Sequence, residues 1–177
     1  MIRTALAALA FLPAAAAAAP PTDAAERLVA PPLPGFVEGF ARANAQQSIR
    51  EEIPKGETVE AWTRMVTTQR FVGLAERASP LEYAGNILGN VPRSCPGAHA
   101  TTPVTLTVSG RPAVQFQVDC PHSDGGRPET FILLAVAGAS DMHVKQVAWR
   151  GVPPAPAWGR AFLAKVMLCA TAAPCRR

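Results

Sequence analysis

Asp119-Cys120-Pro121-His122-Ser123-Asp124 gathers a thiol, an imidazole and two carboxylates within six residues. A cysteine activated by a neighbouring histidine is the machinery of a covalent hydrolase. Cys120 and His122 are therefore candidates for nucleophile and base. His122 could instead meet His99 and His143 on a metal ion, with Asp124 or Asp141 as a fourth ligand. A second group is Trp62 and Arg64, an aromatic ring and a guanidinium two residues apart, which could form a ligand surface. Each has a plainer structural reading. There is no C-x2-C pair and the three histidines are far apart. No G-x-S-x-G, H-E-x-x-H or phosphate-binding glycine loop occurs. His122 to Gly126 reads as a polar loop between strands, and Trp62 as the start of a strand whose ring closes one end of a core. No catalytic, metal-binding or cofactor-binding residue is assigned, and no cofactor is implied.

The surroundings of these groups argue for an oxidising compartment. Residues 1–19 (MIRTALAALAFLPAAAAAA) pair a short positive n-region at Arg3 with an apolar stretch, Ala5 to Leu12, and a run of small residues. This is the pattern of a secretory signal peptide, with Pro20 directing cleavage to Ala17 or Ala18 rather than Ala19. The stretch is too short for a membrane anchor, which needs roughly 20 apolar residues, and no stable span is expected after cleavage. The four cysteines, Cys95, Cys120, Cys169 and Cys175, then read as two disulfides. A periplasmic or secreted protein is expected. The formal charge of +4 is spread along the chain with no basic cluster beyond Arg176-Arg177, which argues against nucleic-acid binding.

The elements that must position these residues follow from period and punctuation. Residues 20–35 are proline-rich and read as a linker or extended arm. Residues 36–177 form one α+β domain. Strands are expected at Phe36–Phe40, Ser48–Ile53 and Trp62–Phe71, with a turn at Pro54-Lys55-Gly56 in which Pro54 stands second and Gly56 fourth. Ser79-Pro80-Leu81-Glu82 opens a helix by N-cap, first-turn proline and capping box. Leu81, Ala84, Ile87, Leu88 and Val91 mark its apolar face, and Gly89 and Pro92 its end. Val104–Val108 and Val114–Val118 alternate as a hairpin. Both apolar sets must share the core face, so the turn must be odd, most simply Ser109-Gly110-Arg111. Thr130–Gly138 is apolar on both parities and so is covered on both faces. Met142–Arg150 returns as a further strand. Trp158, Phe162, Val166 and Cys169 lie on one face of a C-terminal helix. Cys120 points inward on its strand and Cys95 follows the first helix, so Cys95–Cys120 is the expected bridge. Cys169–Cys175 is the short second one.

Residues Ile53 to Phe71, I-P-K-G-E-T-V-E-x-W-T-x-M-x-T-x-Q-x-F, resemble a pattern of small exported proteobacterial proteins of unknown function. Ser94-Cys95-Pro96-Gly97, Asp119-Cys120-Pro121 and Arg127-Pro128-Glu129-Thr130 fit the same group. The order of elements is similar to the PsbP-like fold, named for the extrinsic subunit of photosystem II. The resemblance implies a central antiparallel sheet of about six to seven strands flanked by two main helices. It implies no catalytic residues. The functional expectation is an exported, non-catalytic domain that binds an envelope protein or a small ligand. The alternative is a small hydrolase using the Cys120–His122 loop or a histidine-bound metal.

Overall fold

The computed structural model describes residues 26–123, 126–151, 157–170 and 175. The signal-like residues 1–19, Asp124 and the terminal arginines lie outside these. Twelve elements follow in order: β1 (Glu26–Val29), β2 (Phe36–Ala43), β3 (Gln47–Pro54), β4 (Arg64–Phe71), α1 (Pro80–Ser94), β5 (His99–Ala100), β6 (Val104–Val108), β7 (Arg111–Cys120), β8 (Glu129–Ala137), β9 (Met142–Arg150), α2 (Ala157–Leu163) and β10 (Met167–Ala170). Eight strands form one sheet in the order β2-β3-β4-β9-β8-β7-β5, with β6 also paired to β7; β1 and β10 form a separate two-stranded ribbon. Every pairing is antiparallel. The main sheet is thus larger than the six to seven strands expected, and a second sheet is present that was not expected.

The ribbon explains the extra structure. Val166 and Leu168 are both buried, an interval of two rather than of helical spacing. The expected long C-terminal helix therefore ends at Leu163, and Cys169 lies in β10. Glu26 pairs with Ala170 and Val29 with Met167. Leu28 and Leu168 then pack on the sheet together with Phe162, Leu163 and Trp149. A four-residue strand thus lies inside the proline-rich segment 20–35.

The opposite face carries α1. Ser79 caps it: its hydroxyl accepts from the Glu82 N–H and the Glu82 carboxylate accepts from the Ser79 N–H. Tyr83, Ala84, Ile87, Leu88 and Val91 pack over Val114, Phe116, Leu133 and Val144. Leu81, expected on this face, is exposed. The helix passes Gly89 and Pro92 and ends at Ser94, because the Cys95 N–H still closes on the Val91 carbonyl. β8 is covered on both sides, with Ile132, Leu134 and Val136 in one core and Leu133 and Ala135 in the other.

Two turns differ from expectation. Val108 pairs with Arg111, so the β6–β7 turn has two residues, Ser109 and Gly110, both with positive φ. That is the hairpin turn matched to strand twist. Its even length puts the two apolar sets on opposite faces: Thr105, not Val104, sits opposite Val114. Val104 and Leu106 remain exposed, and only Val108 of the three reaches a core. At the other turn the Glu57 N–H bonds the Pro54 carbonyl, which puts Gly56 (φ 93°) third rather than fourth.

Candidate functional site

Alternation along β9 sends Met142, Val144 and Ala148 to the α1 side and His143, Lys145, Val147 and Trp149 to the ribbon side. Val147 and Trp149 lie under α2, where the Gly159 backbone comes so close that an added Cβ would sit 3.1 Å from Ile132 and 3.4 Å from Trp149. His143 and Lys145 occupy the same face with only 2% and 5% of their surfaces exposed. A lysine this buried in a central strand needs a reason, since its charge is costly to remove from water.

Register supplies its neighbours. Lys145 stands opposite Thr68, and Thr68 opposite Arg50, so the three lie in one row across β9, β4 and β3. The Lys145 Nζ donates to Thr68 Oγ1 at 2.6 Å. The Glu52 carboxylate is 3.7 Å away. Its other oxygen accepts from Arg50 at 2.8 Å, and Arg50 also pairs with Glu38 at 3.1 Å. Burial pushes the Lys145 ammonium below its ordinary pKa, an effect the Glu52 charge opposes and the Arg50 charge reinforces. Over this row passes the segment from Arg27 to Leu33, roofing a cavity of about 370 Å³ that Lys145, Thr68, Glu52, Arg50 and Ser48 line from below. The result is a desolvated amine with one normal hydrogen bond, beside a carboxylate already engaged elsewhere, lining a space large enough for a small molecule.

The next row holds a second polar group. His143 stands opposite Arg70, which pairs with Asp141. Asp141 also accepts from the Gly73 N–H at 2.8 Å and from the Ser140 hydroxyl at 3.0 Å. Burial works against the Asp141 carboxylate, but the Gly73, Arg70 and Ser140 donors outweigh it and hold its pKa below the usual carboxylate value. Burial lowers the His143 pKa, against the opposing charges of Asp141 and Glu26. Its Nε2 has no hydrogen-bond partner among the described residues.

The residues singled out from the sequence fall elsewhere. Cys120 is bonded to Cys95 and Cys169 to Cys175, with Cα separations of 5.8 and 5.4 Å. Cys120 therefore has no thiol to offer His122, and the nearest link is a long contact from the Cys95 sulfur to the His122 carbonyl. Among the described residues no three His, Cys, Asp or Glu side chains converge as a metal site. His143 is the second residue of β9, and His99 is at a sheet edge opposite Asp119. Trp62 and Arg64 are not brought together. Trp62 precedes β4 rather than opening it, buried on the α1 side with Ile53, Met65 and Ala148, and Arg150 stacks over its ring at 4.2 Å. Arg64 lies on the ribbon side, over Phe36 and Trp158. The Glu57 carboxylate accepts from the Thr63 N–H and hydroxyl, both at 2.7 Å, so this conspicuous stretch closes a loop around a core tryptophan. A wider cleft of about 620 Å³ adjoins the Cys95–Cys120 bridge. The charges of its Glu129 and Arg150 are spent on each other at 3.0 Å.

No protein-family model matches the chain, and no curated protein matches it in sequence. Solved structures do match in shape. The Ran-binding protein Mog1p of Saccharomyces cerevisiae superposes with a TM-score of 0.52 at 10% identity, over 82% of this chain and 90% of that one. A mutant of protein Mog1 gives 0.50 at 10% identity, over 82% and 93%. A protein of unknown function from Pseudomonas aeruginosa gives 0.48 at 15% identity, over 76% and 87%. The chain therefore shares the Mog1p fold. This corrects the resemblance drawn from Ile53–Phe71: the fold stands beside a yeast Ran-binding protein, and nothing in the comparisons points to a group of exported proteobacterial proteins. The motif misleads about kinship because its residues report a turn, a loop closure and a core ring, features that any lineage can reach.

Sequence reasoning passed over Lys145. Its signal is parity: in Met142–Arg150 the set His143, Lys145, Val147, Trp149 places two ionisable groups on the face of two core residues.

Proposed function

We propose that the protein is an exported, non-catalytic binding domain whose ligand is a small polar molecule held in the Lys145 cavity. One observation carries this reading: an ammonium 93% removed from solvent (side-chain exposure 7%) lines a cavity with one close hydrogen bond, to a neutral hydroxyl. A ligand acceptor would complete its coordination. A thermal-shift titration of the full chain against small hydroxy acids, keto acids, amino acids and sugars tests it, run beside Lys145→Met. A compound that raises the melting temperature of the wild type but not of the variant supports the reading. If no compound stabilises the wild type, or every one that does also stabilises the variant, the reading fails.

Export is supported by the signal-like pattern of residues 1–19 and by two cystines, which persist in oxidising compartments. N-terminal sequencing of the mature protein should begin near residue 18 or 19; a soluble form starting at Met1 would overturn it.

A second reading, a protein partner, is favoured by β6. No further strand pairs with its outer side among the described residues, and it exposes Val104 (63%) and Leu106 (37%). Such an edge can accept a partner's strand. The fold is that of a Ran-binding protein, which makes protein binding a precedent by fold analogy alone.

A further inference from the structure

We propose that Lys145 is a carbonyl-capture residue, whose amine condenses with a small aldehyde or ketone in the cavity beneath Arg27–Leu33. This rests on that cavity being the ligand site. Glu52 lies 3.7 Å from the same Nζ, so the charge of the amine already has a counter-charge beside it. A neutral carbonyl compound adds no further charge to a lining that also holds Arg27 and Arg50, and its oxygen can accept from the lysine before any bond forms. A lysine desolvated in a protein interior keeps more of its free-amine form than an exposed one, and it is that form which attacks.

The step balances without oxidant or reductant. The Lys145 ammonium first gives one proton to the Glu52 carboxylate; the freed nitrogen lone pair then forms the new C–N bond, and the carbonyl π electrons move to oxygen, which takes that proton from Glu52. The nitrogen gives up a proton, for which the Glu52 carboxylate is within reach. The carbinolamine then expels its hydroxyl as water, the proton returning from Glu52, and C=N forms. The products are the Schiff base on Lys145 and one water. The protonated imine would again lie near Glu52, which compensates its charge. The cavity, at about 370 Å³, admits a compound of a few heavy atoms and leaves the roof in place.

The chain contains only three lysines, Lys55, Lys145 and Lys165, and the other two are exposed. They serve as internal references. The full chain is incubated with acetaldehyde or acetone and sodium cyanoborohydride near neutral pH, then digested and mapped by mass spectrometry. Lys145 should acquire the reduced adduct on the order of tenfold faster than Lys55 or Lys165, with saturation in probe concentration. Lys145→Arg should lose the fast adduct, and should that variant fail to fold, the wild-type map still decides. Labelling of Lys145 at or below the rate of the exposed lysines overturns the proposal. Compounds that stabilise the wild type but not Lys145→Met, with no trapped adduct, would leave a non-covalent site standing and sink the capture chemistry alone. Neither stabilisation nor adduct would sink both.

Discussion

The Cys95–Cys120 bridge should contribute more to stability than Cys169–Cys175, and the difference can be worked from the chain. Cys95 directly follows the last residue of α1, and Cys120 is the last residue of β7. Their bond therefore pins the C-terminal end of the helix to the sheet it covers. It closes a separation of 25 residues, whereas Cys169–Cys175 closes 6. The loop-closure relation gives about 3.5 kcal/mol for the first and about 2 kcal/mol for the second. At about 2–4 °C per kcal/mol for a domain of this size, the losses are roughly 10 °C and roughly 6 °C. The paired variants Cys95→Ala/Cys120→Ala and Cys169→Ala/Cys175→Ala, melted side by side without reductant, measure both. Alanine is preferred to serine because Cys95 and Cys120 are buried and a hydroxyl there would add its own penalty. An equal or larger loss in the C-terminal pair would refute the reasoning. So would a non-reduced peptide map joining Cys95 to Cys169 or Cys175.

Three further outcomes are expected. His143, with its pKa lowered from 6.5 by burial, binds its proton less readily folded than unfolded; its contribution to stability is complete above about pH 6.5 and is lost as the pH falls through its folded value. Melting curves of His143→Leu should therefore be flatter than wild type over that acid window, and parallel curves would count against it. Asp141→Ala strands the Gly73 N–H and the Arg70 guanidinium, and should cost roughly 1–3 kcal/mol in urea unfolding at neutral pH. The Arg70 share is discounted because 35% of that side chain meets water. The carboxylate's contribution is present above the ordinary carboxylate pKa and fades as the pH drops below it; no change in the urea midpoint at pH 7 would contradict the assignment. Ser79→Ala opens the capping box and should lower the melting temperature by roughly 2–4 °C, with amide exchange faster in the first turn of α1.

What could be read in advance was local. The capping box at Ser79–Glu82 fixes both ends of its own hydrogen bonds within four residues, so no tertiary knowledge is needed to place the helix start. The all-apolar run in β8 demands cover on both faces wherever that cover comes from. The misplaced features depend on partners distant in sequence. Leu168 and Cys169 fit a strand only once Glu26–Val29 arrives to pair with them, more than 130 residues earlier. The β6–β7 turn was made odd by assuming that every apolar strand residue is buried, whereas Val104 and Leu106 are not. Lys145 was hidden by the same kind of distance. Its row-mates, Thr68 and Arg50, come from two other strands, and its roof from a proline-rich segment that reads as an arm.

That roof is anchored at both ends, which bears on how a ligand would enter. At the β1 end, the Glu26 carboxylate pairs with Arg111 at 3.1 Å and accepts from the Ala139 N–H at 2.6 Å. The β1–β10 pairing continues from it for four residues, and Cys169 in β10 is bridged to Cys175. At the far end, the Phe36 N–H bonds the Leu33 carbonyl, and the Lys55 N–H bonds the Gly35 carbonyl at 2.8 Å. Prolines at 31 and 32 restrict the backbone between these points. The cavity is thus formed in advance rather than by a segment folding over its contents, and binding would not have to order the roof first. A core need not be built this way: replacing a buried charge and its partners by apolar residues is often neutral or stabilising. Lys145, set two residues from the core pair Val147 and Trp149 on the same face, has an aliphatic alternative open to it at little structural cost. The buried amine, the preformed roof and the half-engaged carboxylate of Glu52 together fit the ligand site proposed above.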